Sequence, residues 1–114
     1  MTIRGVYSAL FKSNHNQVGA GIVVIDGATL HGGDLNYLYK GKYKLDDKGG
    51  IAATVDVDNY SGLKNAVVGP FQSFRLTLKG IAAPHGFALS GAVEEHPKYM
   101  IQIDLIRISD LVDQ

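Results

Sequence analysis

Short segments in which apolar and polar residues alternate run through this chain, and glycine-rich or Asn/Asp-rich turns separate them. Seven such segments occupy residues 5–12, 18–25, 37–44, 51–59, 73–80, 86–93 and 99–108. Because successive side chains of a strand point to opposite faces of a sheet, this alternation indicates strands with one face in a core. Strands at this regular spacing predict a single all-β domain over residues 1–114, either a closed barrel or a sandwich of two sheets.

The turns favour an antiparallel order. Asp26 and Gly27 form a strong hairpin signal, because both central residues of a type I′ turn have positive φ, and a short return strand over residues 28–31 follows them. With that strand the count is eight, and most connections have hairpin length. An eight-stranded antiparallel up-and-down β-barrel is therefore the simplest topology. Asp34 is placed to cap a single helical turn over residues 35–37.

Composition excludes several classes of function. The chain has no cysteine, which excludes disulfides, thiolate catalysis and cysteine-based zinc sites. Eleven basic and eleven acidic residues give a formal net charge of zero, and no basic patch for nucleic acid or an anionic membrane is visible. The N-terminus lacks a signal-peptide core, and no apolar run reaches the roughly 18 residues of a membrane span. We expect a cytoplasmic protein that contacts neither nucleic acid nor membrane.

The sequence contains no catalytic or metal-binding motif. Gly19 and Gly21 do not belong to a dinucleotide fingerprint, because Val24 stands at the next glycine position and no helix follows. The four histidines lack metal-ligand spacing. Asp56 and Asp58 lie two residues apart on one strand, which is typical of a solvated charged face. We expect a protein without metal or cofactor that is not an enzyme.

The alternation assigns eight large side chains to the barrel interior, where they fill the core or line a cavity for an apolar ligand. These residues are Tyr7, Phe11, Val55, Val57, Phe74, Leu76, Phe87 and Leu89. Small residues on the same face, among them Gly41, Ala53 and Gly91, are expected to leave volume unfilled. A barrel that binds a lipid or another amphipathic molecule is therefore one hypothesis for the function.

Two strands are apolar on both faces. In residues 18–25, Ile22 and Val24 lie on one face and Val23 and Ile25 on the other, and the last strand has the same property. Only one face can point into a barrel, and contiguous exposed apolar surface usually marks an interface. This pattern predicts a homodimer with two-fold symmetry.

Five motifs in residues 1–60 have the spacing of a known bacterial family. They lie at residues 5–7 (GVY), 11–14 (FKSN), 19–22 (GAGI), 32–34 (GGD) and 39–41 (YKG). In these motifs the chain resembles the GrlR-like family, negative regulators of type III secretion gene expression. The resemblance implies a lipocalin-like barrel that forms a homodimer and represses by binding a transcriptional activator protein rather than DNA.

The same resemblance points to one turn as the partner-binding site. The family prototype carries a run of four acidic residues in the exposed loop just after the Tyr-x-Gly strand, and this run is needed for contact with the activator. Here that position holds Asp46 and Asp47, followed by Lys48, so two of the four acids are present. Aspartates in turns also accept hydrogen bonds from the backbone two residues on, which leaves a purely structural role open. The resemblance implies that Asp46 and Asp47 bind a protein partner in a non-enzymatic regulator.

Overall fold

The computed structural model describes residues 3–63, 66–67 and 69–112, and these form eight strands and no helix. The strands are β1 (Ile3–Ser13), β2 (Val18–Gly27), β3 (Thr29–Gly33), β4 (Tyr37–Leu45), β5 (Gly50–Asn59), β6 (Ser73–Ala83), β7 (Gly86–Val93) and β8 (His96–Ser109). Each strand pairs antiparallel with the next, and β1 pairs with β8 to close the barrel. The predicted eight-stranded up-and-down barrel is confirmed. Within the described residues, no helix is long and apolar enough to cross a membrane.

The antiparallel order places alternate connections at opposite ends of the barrel. The upper end, as we call it, carries the connections over residues 14–17, 34–36 and 94–95 and the described residues of the connection between β5 and β6, namely 60–63, 66–67 and 69–72. The lower end carries the short turns at Ala28, 46–49 and 84–85, together with the start of β1 and the end of β8. The turn that holds the two aspartates therefore lies at the lower end.

Two local predictions are wrong in detail. Asp26 pairs with Thr29, so the central residues of the turn between β2 and β3 are Gly27 and Ala28, one residue later than expected. Gly27 has φ of 69° and Ala28 does not have positive φ, which is typical of a type II′ turn rather than type I′. The helical turn over residues 35–37 is also absent, because the chain bends once after Asp34 and enters β4 directly.

Alternate residues of every strand point inward and form one apolar core. In β5 the inward residues are Ile51, Ala53, Val55 and Val57, as the alternation predicts, and all four are buried. The largest side chains with almost no exposure are Ile25, Leu78 and Val93, which come from three different strands. Packing inside the barrel therefore unites segments that are far apart in the chain.

The small residues of the inner face do not leave the volume that the sequence suggests. A Cβ atom at Gly41 would lie 2.6 Å from the carbonyl oxygen of Thr54 on the neighbouring strand. At Gly91 the carbonyl oxygen of Thr77 occupies the same place. The expectation of unfilled space is wrong at these two positions, because the missing side chains admit the backbone of the adjacent strand.

Candidate functional site

All eight residues predicted to face inward do so. Five of them are buried, namely Tyr7, Val55, Val57, Leu76 and Leu89. The other three are partly buried and pack against the core, namely Phe11, Phe74 and Phe87. These phenylalanines do not meet at one site, because the first two lie towards the upper end and the third lies at the lower end.

The upper end is closed by aromatic packing. The ring of Phe11 meets the ring of Tyr39 edge-on at 5.7 Å, and Phe71 contacts Phe74 at the same centroid distance. The hydroxyl of Tyr37 donates a hydrogen bond of 2.8 Å to the carbonyl oxygen of Phe71, which fastens the long connection to the barrel. The void beneath this layer has a volume of about 40 Å³. Typical ligand pockets measure about 300–1,000 Å³.

A polar pair supports the upper end. The hydroxyl of Tyr39 donates a hydrogen bond to Oδ2 of Asp34, and the other carboxylate oxygen accepts from the amides of Asn36 at 2.9 Å and Tyr37 at 2.8 Å. Burial raises the pKa of Tyr39 far above its ordinary value, and the neighbouring Asp34 carboxylate raises it further. The predicted capping role of Asp34 is therefore realised in a bend instead of a helix.

The lower end opens into an apolar cleft with an acidic rim. This lower cleft has a volume of about 610 Å³, within the range of ligand pockets. Its apolar walls come from the ends of several strands and from the turn residue Ala28; the strand residues are Ile3, Tyr43, Leu45, Ala82 and Phe87. Asp46 and Asp47 are the charged residues among those that line it. The hydroxyl of Tyr43 donates a hydrogen bond to the carbonyl oxygen of Gly27, so the ring of Tyr43 forms part of the wall. Burial raises the pKa of this tyrosine.

The two aspartates of the rim differ in what they contact. Oδ1 of Asp46 accepts hydrogen bonds from the amides of Lys48 and Gly50, both at 2.8 Å, so this residue organises the turn. Asp47 is exposed, and its carboxylate makes no hydrogen bond or ion pair with any residue that the structure describes. The structural role holds for Asp46, whereas the carboxylate of Asp47 remains available for an external contact.

A second cleft, of about 650 Å³, adjoins the first and shares Ala82 and Phe87 with it. Arg107 lines this cleft, where its guanidinium donates to the carboxylate of Asp110 at 2.6 Å and to the carbonyl oxygen of Arg4 at 3.0 Å. Sequence reasoning did not identify Arg107 as a lining residue. The burial alternation of β8 ends at Leu105 and Arg107 is exposed, so the sequence pattern gives no signal for it; pairing with Tyr7 of β1 brings it to this cleft.

The outer face of β2, β1 and β8 carries the apolar surface that the sequence predicts. Ile22 and Ile106 both pair with Ser8 of β1, so they flank it in one row, and each is 44 % exposed. On one side of this row Val6 lies opposite Val24. On its other side lies Leu10, which is 52 % exposed. We call these five apolar residues the outer patch; they are Val6, Leu10, Ile22, Val24 and Ile106.

The opposite wall is charged. Asp56 on β5 forms an ion pair with Arg75 on β6 at 2.7 Å, and this hydrogen bond holds the pKa of Asp56 below its usual range. Asp58 lies 4.0 Å from the ammonium group of Lys40 on β4. Both carboxylates therefore belong to ion pairs across strands. In the described part of the chain, no group of three or more His, Asp or Glu residues is arranged to hold a metal ion.

The geometry at the lower end is suited to binding. Covering the apolar walls with another apolar surface is favourable, because it removes both surfaces from water. Carboxylates on the rim favour a cationic group beside that surface. No protein-family model and no curated protein matches this sequence. The arrangement of these side chains is therefore the basis for a functional assignment.

Proposed function

We propose that this protein is a regulatory binding protein rather than an enzyme, and that it acts by holding a protein partner at its lower end. The observation that carries this proposal is the exposed carboxylate of Asp47 on the rim of the lower cleft, which has no partner among the described residues. An apolar centre with a polar rim is the usual anatomy of a protein interface. The resemblance to the GrlR-like family of bacterial repressors supports a transcriptional activator as the partner.

The mechanism would be sequestration of the partner. The carboxylate of Asp47 would attract a basic surface and orient it, which mainly raises the association rate. Burial of apolar surface in the lower cleft would supply most of the affinity. A regulator held in this way is unavailable to its own target, so repression needs no contact with nucleic acid.

The same proposal includes a homodimer formed through the outer patch. Two copies related by a two-fold axis would cover each other's apolar residues on β2, β1 and β8. The lower cleft lies at the end of the barrel and the outer patch on its wall. A dimer could therefore hold one partner at each of its two clefts.

Site-specific photo-crosslinking tests the partner contact. A benzophenone side chain replaces Asp47 in one variant and Ser90, an exposed residue on the outer wall of β7, in the matched control. Irradiation in the native host should give one discrete protein adduct at position 47 and not at position 90. The adduct partner is then purified, and its affinity for the wild type and for Asp47→Asn is measured at two salt concentrations. Equal affinity and equal salt dependence for the two proteins would contradict the proposal.

A second candidate function is the binding of a small amphipathic molecule. The cleft that Arg107 and Phe87 both line favours it, because an anionic head group on an apolar body would displace the Asp110 carboxylate from the Arg107 guanidinium. Native mass spectrometry of protein purified from its host would reveal a bound mass of a few hundred daltons. A spectrum with the apoprotein alone would count against this candidate and leave the protein-partner proposal in place.

A further inference from the structure

Lysines from distant parts of the sequence meet on the lower half of the charged wall. Lys42 and Lys44 point outward from β4, and Lys79 points outward from β6, two strands away. Ala52 of β5 pairs with both Lys44 and Lys79, so these two lysines share one row of the sheet. Strand spacing and rise place the three Cα atoms within roughly 12 Å of one another. We call this surface the lysine face; the fold forms it although the lysines are dispersed along the chain.

The charges of the lysine face are not compensated by neighbouring acids. Lys42, Lys44 and Lys79 make no hydrogen bond or ion pair with any residue that the structure describes. In the rows above them, Asp56 and Asp58 are already paired with Arg75 and Lys40. Below those rows, the outward residues of β4, β5 and β6 include no acid. The aspartates of the turn over residues 46–49 lie beyond the face, at the lower end.

The shape of the lysine face favours an extended partner over a small anion. β5 runs between the lysines and presents only small residues there, Ala52 and Thr54. The three lysines line none of the clefts described above. A small anion would therefore remain in water beside flexible side chains, whereas a broad anionic surface can contact all three ammonium groups at once.

An exposed apolar side chain adjoins the lysines. Ile81 follows Lys79 by two residues on the same face of β6 and is 64 % exposed, and its partner on β7 is the exposed Ala88. An anionic bilayer offers negative head groups above an apolar layer, and peripheral proteins bind it with basic and apolar side chains together. The outward residues of β4, β5 and β6 beside the lysines include no aromatic ring that could stack on a nucleic-acid base.

We propose that the lysine face attaches this protein reversibly to an anionic lipid surface. The three lysines would contact the head groups, and Ile81 would enter the boundary between head groups and acyl chains. Each lysine near such a surface contributes a gain of roughly fivefold in partition, so the attachment is weak and salt reverses it. This inference goes beyond the proposed function, because it concerns another surface of the barrel and needs no protein partner.

Sedimentation with lipid vesicles tests the attachment. The probes are vesicles of phosphatidylcholine alone and vesicles in which roughly one third of the lipid is phosphatidylserine. The wild type should pellet with the anionic vesicles at an ionic strength of about 0.01 M. It should be released at about 0.15 M, because the screening length falls from about 30 Å to about 8 Å. It should not pellet with phosphatidylcholine alone.

Matched double variants locate the binding surface. Lys42→Gln combined with Lys79→Gln removes two charges from the lysine face and should weaken binding roughly 10- to 30-fold. Lys12→Gln combined with Lys98→Gln removes two charges from β1 and β8 and should change binding by less than about twofold. All four lysines are exposed, so the barrel should fold in both variants.

A second pair of variants tests the apolar contact. Ile81→Ser should weaken binding to the anionic vesicles about threefold or more, because it removes the side chain that enters the lipid. Val18→Ser makes a similar change at the start of β2, where the valine is 73 % exposed, and should leave binding unchanged. Equal binding by Ile81→Ser and the wild type would overturn the assignment to a lipid surface.

The other outcomes are equally decisive. Failure of the wild type to pellet with anionic vesicles at low ionic strength would overturn the inference. Retardation by duplex DNA in a gel, without vesicle binding, would overturn it in favour of a nucleic-acid partner. Equal loss of vesicle binding in the two double variants would show that the attachment does not depend on the lysine face. The proposed function is tested separately by crosslinking at position 47, so either proposal can fail alone.

Discussion

Asp46 and Asp47 are adjacent in the sequence, yet the fold gives their carboxylates different environments. The first accepts two backbone hydrogen bonds within its own turn. The second projects from the same turn beside an apolar cleft. A turn needs only one such acceptor, so the second acid is free to serve another purpose. The structural explanation thus applies to Asp46, and the proposed partner contact would fall to Asp47.

This difference predicts unequal effects on stability. Asp46→Ala should lower the free energy of unfolding by about 1 kcal/mol, because two amide donors lose their acceptor. Asp47→Ala should change it by less than about 0.5 kcal/mol, as is usual for exposed residues without partners. Urea denaturation of both variants and the wild type checks this prediction. Equal destabilisation by the two substitutions would contradict the assignment of roles.

Tyr39 should make the protein sensitive to alkaline pH. Burial and the Asp34 carboxylate raise its pKa in the folded state, so the folded protein retains a proton that the unfolded chain releases above about pH 10. The stability that comes from the neutral hydroxyl is complete below that pH and is lost as the pH rises through it. Tyr39→Phe cannot ionise, and its stability should fall less steeply between about pH 9 and pH 11.

Urea denaturation at a series of pH values measures both slopes. Tyr43 also has a raised pKa, so the variant should keep a smaller alkaline dependence of its own. Parallel stability profiles for the wild type and Tyr39→Phe would show that the tyrosine does not have the environment described.

At the level of the strands, the space beside an inward glycine is filled by the backbone of the neighbouring strand and not only by side chains. Gly91 of β7 faces inward between Leu89 and Val93, and the carbonyl oxygen of Thr77 on β6 stands where its Cβ would lie. Interiors are packed near crystal density, so this oxygen cannot yield without moving its strand. Glycine is therefore needed at position 91 so that β6 and β7 can approach each other, and it leaves no empty volume there.

Gly91→Ala should therefore be destabilising although alanine suits a strand no worse than glycine. We expect a loss of about 1–3 kcal/mol in the free energy of unfolding, typical of overpacking. Ser90→Ala, at the adjacent outward position, is the matched control and should stay within about 0.5 kcal/mol of the wild type. If both variants were equally stable, the barrel would have to be more open at this point than the structure indicates.

Over the whole molecule, the barrel separates two surfaces with different chemistry. The lower cleft combines apolar walls with carboxylates at one end of the barrel, whereas the outer patch is apolar and lies on the wall formed by β2, β1 and β8. The opposite wall carries cross-strand ion pairs such as Asp56 with Arg75. Association through the outer patch therefore leaves both the charged wall and the lower cleft accessible.

The outer patch predicts a dimer that one substitution can dissociate. Light scattering at micromolar concentration should give a mass near twice the 12.2 kDa of one chain. Ile22→Lys places a charge at the centre of the outer patch and should shift the mass towards one chain, because burying an unpaired charge is costly. Thr54→Lys makes the same addition on the opposite wall and should leave the dimer intact. A wild-type mass of one chain would contradict the dimer.

Much of the fold follows from local pattern. The alternation in β5 identifies its inward residues correctly, and the hairpin-length connections lead to eight strands in antiparallel order. These properties depend on the two-residue repeat of a strand and on the short reach of a tight turn, so neighbouring residues are enough to predict them. Local pattern places the two aspartates only in a turn, and it was the family resemblance that singled them out as a partner site.

The remaining features arise from residues that are distant in the chain. Pairing of β1 with β8 selects a barrel over a sandwich, and no local pattern encodes that closure. The lower cleft forms only when Ile3, Leu45 and Phe87 meet beside the turn that holds Asp47, and each comes from a different strand. Local periodicity predicts which face of the sheet each side chain occupies. Which side chains line the same cleft depends on the tilt of the strands and on closure of the whole sheet.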